Sequence, residues 1–135
     1  MTDLVGLQLS PDGEIVEPNL HDMELRGVDF SNPNDGIVLH IASSFSDAIR
    51  IEITGIKVLS LTTDHIQNVI YAAYVLSADL LLKKPYLASF VSDVLKFDLR
   101  GSQESFFVLE PASGICVVAQ LKKNFSITIT SERSS

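Results

Sequence analysis

The sequence predicts an α+β fold: a mostly antiparallel, strongly curved β-sheet or partly open barrel, with one amphipathic helix (85–97) packed on it. Three observations predict it. Isoleucines at 49, 51 and 53 alternate with Arg50, Glu52 and Thr54, and the same beat returns at Phe125, Ile127 and Ile129. A period of two sends one face of a strand into a core and the other into water. Gly27 and Gly55 each sit where the alternation changes phase, as expected of bulges that bend a strand. Within 85–97, Leu87, Phe90, Val91, Val94 and Leu95 share one helical stripe, opposite Ser89, Ser92, Asp93 and Lys96.

Taken in order, the apolar stretches 4–9 and 15–16 flank the turn signal Ser10-Pro11-Asp12-Gly13 and predict a small hairpin. A strand over 21–30 sets Met23 and Leu25 against Glu24 and Arg26, then resumes beyond Gly27 with Val28 and Phe30. The turn cluster 31–36 joins it to a strand at 37–41, and a polar turn at 43–47 leads into a long strand at 48–61. The stretch 68–82 is read as a strand on the strength of Val69, Ile70, Tyr71, Tyr74 and Val75, broken near Ser77-Ala78-Asp79, although its alanines and leucines also suit a helix. The helix begins at Pro85, a residue suited to a first turn, and Arg100-Gly101-Ser102 ends it. Strands follow at 106–109, 115–121 and 125–129, with turns at 111–114 and 122–124 and a frayed end at 131–135. The reading is one domain, 1–135, of seven or eight strands.

With 46% hydrophobic and 20% charged residues, the chain belongs among folded proteins and not disordered ones. Ten basic against seventeen acidic side chains give a net charge of −7. That balance repels phosphate backbones and anionic lipids, so neither nucleic acid nor membrane is expected as a partner; it suits solubility and a basic protein partner. Cys116 is the one cysteine and lies in the apolar run Ile115-Cys116-Val117-Val118, where a thiol acts as a small hydrophobe; a reducing compartment follows. Residues 1–6 carry no basic segment leading into an apolar one, and the apolar stretch 69–76 is shorter than the ~20 residues that span a bilayer. A cytoplasmic protein is expected.

Chemistry is sparse. His21-Asp22 is the one adjacent pair in which an imidazole meets a carboxylate, and with His65 it makes up the set of candidate site residues. The competing reading has Asp22 holding a turn by accepting backbone N–H groups, His65 on a surface turn after Asp64, and His40 solvated between Leu39 and Ile41. Gly-x-Ser-x-Gly, Gly-x-x-x-x-Gly-Lys and Gly-x-Gly-x-x-Gly are all absent. A single cysteine excludes a thiolate zinc site within one chain. The pairs Glu14/Glu17 and Asp93/Asp98 lack an apolar setting that would separate their pKa values, and Lys83-Lys84 is too short a basic run to hold nucleic acid. No catalytic residue, cofactor or metal is assigned.

The string His21-Asp22-Met23-Glu24-Leu25-Arg26-Gly27-Val28, then Gly55-Ile56 with Leu59 and Leu61, then Asp64 with Asn68-Val69-Ile70, resembles a family of small uncharacterised bacterial proteins opening with His-Asp-x-x-Leu-x-Gly-Ile. Phe107-Val108-Leu109-Glu110-Pro111-Ala112-Ser113-Gly114 is similar to that family's hairpin, with Ala-Ser-Gly in place of its Ser-x-Gly order. Related small acidic proteins occur among the immunity proteins of polymorphic toxin systems. The resemblance implies a non-enzymatic β-rich domain and assigns no catalytic residue. Three readings stand: a binding protein, of immunity type, that masks a toxin through an acidic surface; a small-ligand binder or hydrolase-like enzyme using His21 and Asp22; and a structural homo-oligomer, at its simplest a homo-dimer, pairing through an edge strand.

Overall fold

The computed structural model describes residues 3–30, 36–43, 47–63, 69–96, 98–112 and 115–133. Among these, nine strands and two helices follow in the order β1 (Asp3–Val5), β2 (Gln8–Leu9), β3 (Ile15–Glu17), β4 (Glu24–Asp29), β5 (Ile37–Ala42), β6 (Asp47–Thr63), β7 (Ile70–Ser77), α1 (Ala78–Leu82), α2 (Pro85–Leu95), β8 (Ser105–Pro111) and β9 (Ile115–Arg133). The main sheet runs β4-β5-β6-β9-β8-β7 with antiparallel pairing throughout, and β1 adds to β9 in parallel.

This sheet curls into a half-barrel until its two end strands meet. Glu24 bridges Val69, the Asp22 amide donates to the Ile70 carbonyl at 2.9 Å, and the Ile70 amide donates to the Met23 carbonyl at 2.8 Å. The predicted N-terminal hairpin, β2–β3, lies along the same seam, where the Val75 amide donates to the Gly13 carbonyl at 2.8 Å and Glu14 bridges Tyr74. The two phase changes are register shifts, as the glycines imply: one between Leu25 and Gly27, the other around Gly55.

The corner at Gly55 is the sharper one. Thr54 faces Ser126 and Ile56 faces Leu121, so four residues of β9, 122–125, stand opposite one glycine of β6. Gly55 has φ +78°, and a Cβ there would stand 2.8 Å from Phe125 Cα. Only glycine fits such an approach. The expected turn at 122–124 is thus corrected: Lys122, Lys123 and Asn124 form an extended bulge inside one continuous strand, both halves of which pair with β6. The strand also continues to Arg133, opposite Asp47, where a frayed end was expected.

Two cores lie back to back. The inner one fills the half-barrel with Leu25, Leu39, Ile51, Ile53, Phe107, Leu109, Val117 and Ile127 among others. The outer one packs Leu81, Leu87, Ala88 and Val91 of the helices onto Leu76, Phe106, Val108 and Val118. Each buried Leu or Val in that layer contributes about 1.5–3 kcal/mol. Within the stretch 68–82, Ile70–Ser77 is a strand, and the expected break turns out to be a helix start: the Ser77 hydroxyl caps the Leu80 amide, and α1 follows. The second helix ends at Leu95, with Lys96 in a left-handed conformation, earlier than predicted. Its buried stripe also turns: Leu87, Ala88 and Val91 are covered, Val94 and Leu95 are half-buried, and Phe90 is 37% exposed.

Candidate functional site

The chain has three tyrosines, and the fold brings all of them to one face. Tyr71 and Tyr74 stand on β7, and Tyr86 is the second residue of α2. Strand pairing sets Ala72 opposite Glu110 of β8, which delivers a carboxylate among the rings. The Tyr86 hydroxyl donates to Glu110 Oε2 at 2.7 Å, and the Tyr74 hydroxyl donates to Glu110 Oε1 at 3.3 Å. Burial, and next the Glu110 charge, push the Tyr74 phenol above its ordinary value. Burial and the hydrogen bond to Glu110 raise Tyr86 in the same sense, with Tyr71 near enough to add to the effect. Both phenols therefore remain neutral donors.

A second set of groups fastens the N-terminal hairpin to this face. Lys84, at the corner between the helices, donates to Asp12 Oδ2 at 2.8 Å and lies 5.3 Å from the centroid of the Tyr74 ring. The Ser10 hydroxyl donates to Asp12 Oδ1. These two hydrogen bonds, that from Lys84 first, hold the Asp12 carboxyl at about 2. Lys84 is therefore a clasp between the hairpin and the helical corner.

His21 and Asp22 are adjacent to the same face. His21 Nδ1 is 2.9 Å from the Tyr71 carbonyl oxygen, and the two rings meet edge to face with centroids 5.6 Å apart. Because a carbonyl only accepts, Nδ1 carries the proton in that bond. The other nitrogen, Nε2, faces Asp22 Oδ1 at 3.5 Å. The ring is thus held through Nδ1, while Nε2 lies on the exposed side beside the Asp22 carboxylate. Asp22 has a left-handed backbone (φ 68°), which aspartate tolerates, and its amide is part of the seam to Ile70. His40 is exposed on β5, as expected, while His65 lies outside the described residues, as do the side chain of Cys116 and Ser113-Gly114. No group of three or more His, Cys, Asp and Glu side chains among the described residues could hold a metal ion. No described helix is long and apolar enough to cross a membrane.

The assembled face presents two phenol rings, Tyr71 at 54% and Tyr86 at 59% exposure, edged by Asp12, Asp22 and Glu110. Broad aromatic area on rigid backbone, with hydroxyls at the water boundary, is suited to contact with another surface. His21-Asp22 stands out in the sequence because the two residues are adjacent, whereas the tyrosines belong to no motif. The available signal was their crowding: every tyrosine in the chain falls within 71–86. No protein-family model, no curated protein and no solved structure matches the chain.

Proposed function

We propose that this protein is a non-enzymatic binding protein whose tyrosine face docks a basic protein partner. The observation that carries the reading is the gathering of Tyr71, Tyr74 and Tyr86 beside Glu110, Asp12 and Asp22. Tyrosine supplies large contact area with only two rotatable side-chain bonds, so ordering it costs little entropy. The carboxylates and the net charge of −7 steer a basic partner toward the face. The form of binding implied by the bacterial family resemblance is an immunity-type one, in which the partner is a toxin encoded nearby.

The test is co-expression with the neighbouring reading frames, followed by pull-down and a toxicity rescue assay. A partner is expected whose affinity falls about tenfold or more for Tyr86→Ala and Tyr71→Ala, as for aromatic hot spots, with melting temperatures unchanged. Recovery of no partner together with no rescue would sink the proposal. So would a complex indifferent to both substitutions.

A further inference from the structure

The Gly55 corner borders a concavity whose lining shares no residue with the tyrosine face. The concavity, of about 600 Å³ and open to solvent, lies between the β6–β9 bulge and the loop from α2 to β8. Four of the chain's ten basic side chains line it: Lys57 from β6, Lys122 and Lys123 from the bulge, and Arg100 from the loop. Asp98 and Glu104 are the acidic groups of the lining. A chain with seventeen acidic residues and a net charge of −7 thus concentrates cations in one concavity. Against these two carboxylates the lining keeps an excess of positive charge, which attracts anions.

The cations are placed by structure. An ordinary strand would send successive side chains to opposite faces, whereas the four-residue bulge opposite Gly55 lets Lys122 and Lys123 line the same cavity. Leu99, 3% exposed, anchors the loop in the outer core. The Ser102 amide donates to the Leu99 carbonyl at 3.2 Å, and Gly101 at the third position has φ +74°, which together make a type II turn with Arg100 at its tip. Asp98 holds the guanidinium through Nε and Nη2, both at 3.1 Å, and accepts the Arg100 amide at 3.0 Å. Lys57 is steadied by Glu104 at 3.3 Å. An arginine fork and ammonium groups keep further N–H donors beyond those used by one carboxylate.

We propose that this cavity binds a small, multiply charged anion with a polar, non-aromatic body. The volume falls within the range of small-molecule sites, roughly 300–1,000 Å³. Among the described residues the lining holds no aromatic ring on which a base could stack, and Ser102 and Gln103 supply hydrogen-bonding groups for hydroxyls. The overall negative charge and the carboxylates at the site disfavour an extended nucleic-acid backbone.

Phosphoryl and carboxylate ligands share this chemistry, and titration of the ¹⁵N-labelled full chain with inorganic pyrophosphate and with citrate, at constant ionic strength, separates them. Saturable amide shifts confined to 98–104 and 121–123 are expected with at least one probe, and the responding probe names the anionic group. Substitution of Lys122→Ala with Lys123→Ala is expected to weaken that binding about tenfold or more, the loss of charge-assisted hydrogen bonds. Lys83→Ala, outside the cavity, leaves it unchanged. Circular dichroism confirms that the double variant folds, and Arg100→Ala provides a second reading free of any change to the bulge. The proposal is overturned if neither probe saturates, if shifts scatter over all lysines, or if the cavity and Lys83 variants behave alike.

Discussion

The two flanks of the half-barrel use similar strands but close their outer surfaces differently. On the β4–β5–β6 flank, Leu25, Leu39, Ile41, Ile49, Ile51 and Ile53 point inward, while Arg26, His40 and Arg50 remain exposed. On the flank made of β7, β8 and the first half of β9, both faces are covered: Ala73, Val75, Phe107, Leu109 and Val117 line the inner core, and Ala72, Leu76, Phe106, Val108 and Val118 lie under the helices. Alternation in a sequence records the contrast between two environments. Where both environments are apolar, the contrast disappears although the backbone geometry is unchanged.

One substitution placed on both flanks tests that difference. At Val108, aspartate would lodge a charge in the layer sealed by Leu87 and Val91, with no counter-ion among the core residues there. The cost is several kcal/mol, comparable with the roughly 5–15 kcal/mol that holds a domain together. His40→Asp faces water opposite Arg50 and should stay within about 0.5 kcal/mol of the parent. Urea denaturation checks both. Equal midpoints for the two variants would mean that the outer layer contributes no packing.

A smaller effect is expected where the flanks join. Gly55→Ala must adopt φ near +78° and also push against the Phe125 backbone. The left-handed conformation alone costs about 1–2 kcal/mol, and displacing Phe125 adds to it. Gly101 has a similar φ, +74°, but open space where its Cβ would go. Gly101→Ala should therefore cost the conformational part alone. The difference between the two variants in chemical denaturation isolates the packing of the corner. If Gly55→Ala proves no worse than Gly101→Ala, the close approach of Phe125 has no energetic weight.

The same contrast explains what could be read in the sequence. The Ile49, Ile51, Ile53 beat, the bulge at Gly27, the kink at Gly55 and the start of α2 at Pro85 all rest on short-range rules, and all were legible. At 68–82 the doubly covered strand lost its period, so strand and helix competed until Ser77, where a cap that favours helix ends the strand. Phe90 shows the limit of stripe counting: five apolar residues shared an arc, but the sheet reaches only the Leu87–Val91 side, with Ala88 inside it. The Lys122-Lys123-Asn124 segment looked like a turn because polar residues interrupted two apolar runs. Its true role depends on Gly55, some seventy residues away, and no local rule could show it. The tyrosine face is likewise a product of pairing between β7 and β8.

The smallest expected effect concerns the clasp that fastens the N-terminal hairpin to the doubly covered flank. Lys84, and next Ser10, hold the Asp12 carboxyl at about 2, below its ordinary 3.8. A value depressed in the folded state means stability that is fully present above the unfolded value and is lost as pH falls from 3.8 through about 2. Asp12 is half-exposed, so solvent screening limits the contribution to less than about 1 kcal/mol. Asp12→Asn should accordingly lower the denaturation midpoint slightly at neutral pH, and the two proteins should converge as pH approaches about 2. The Gly13–Val75 backbone bond is untouched by this change, so the hairpin stays docked and only its fastening weakens. A gap that persists undiminished at the acid end would trace the loss to the asparagine itself, and the ion pair would then contribute nothing to holding hairpin and flank together.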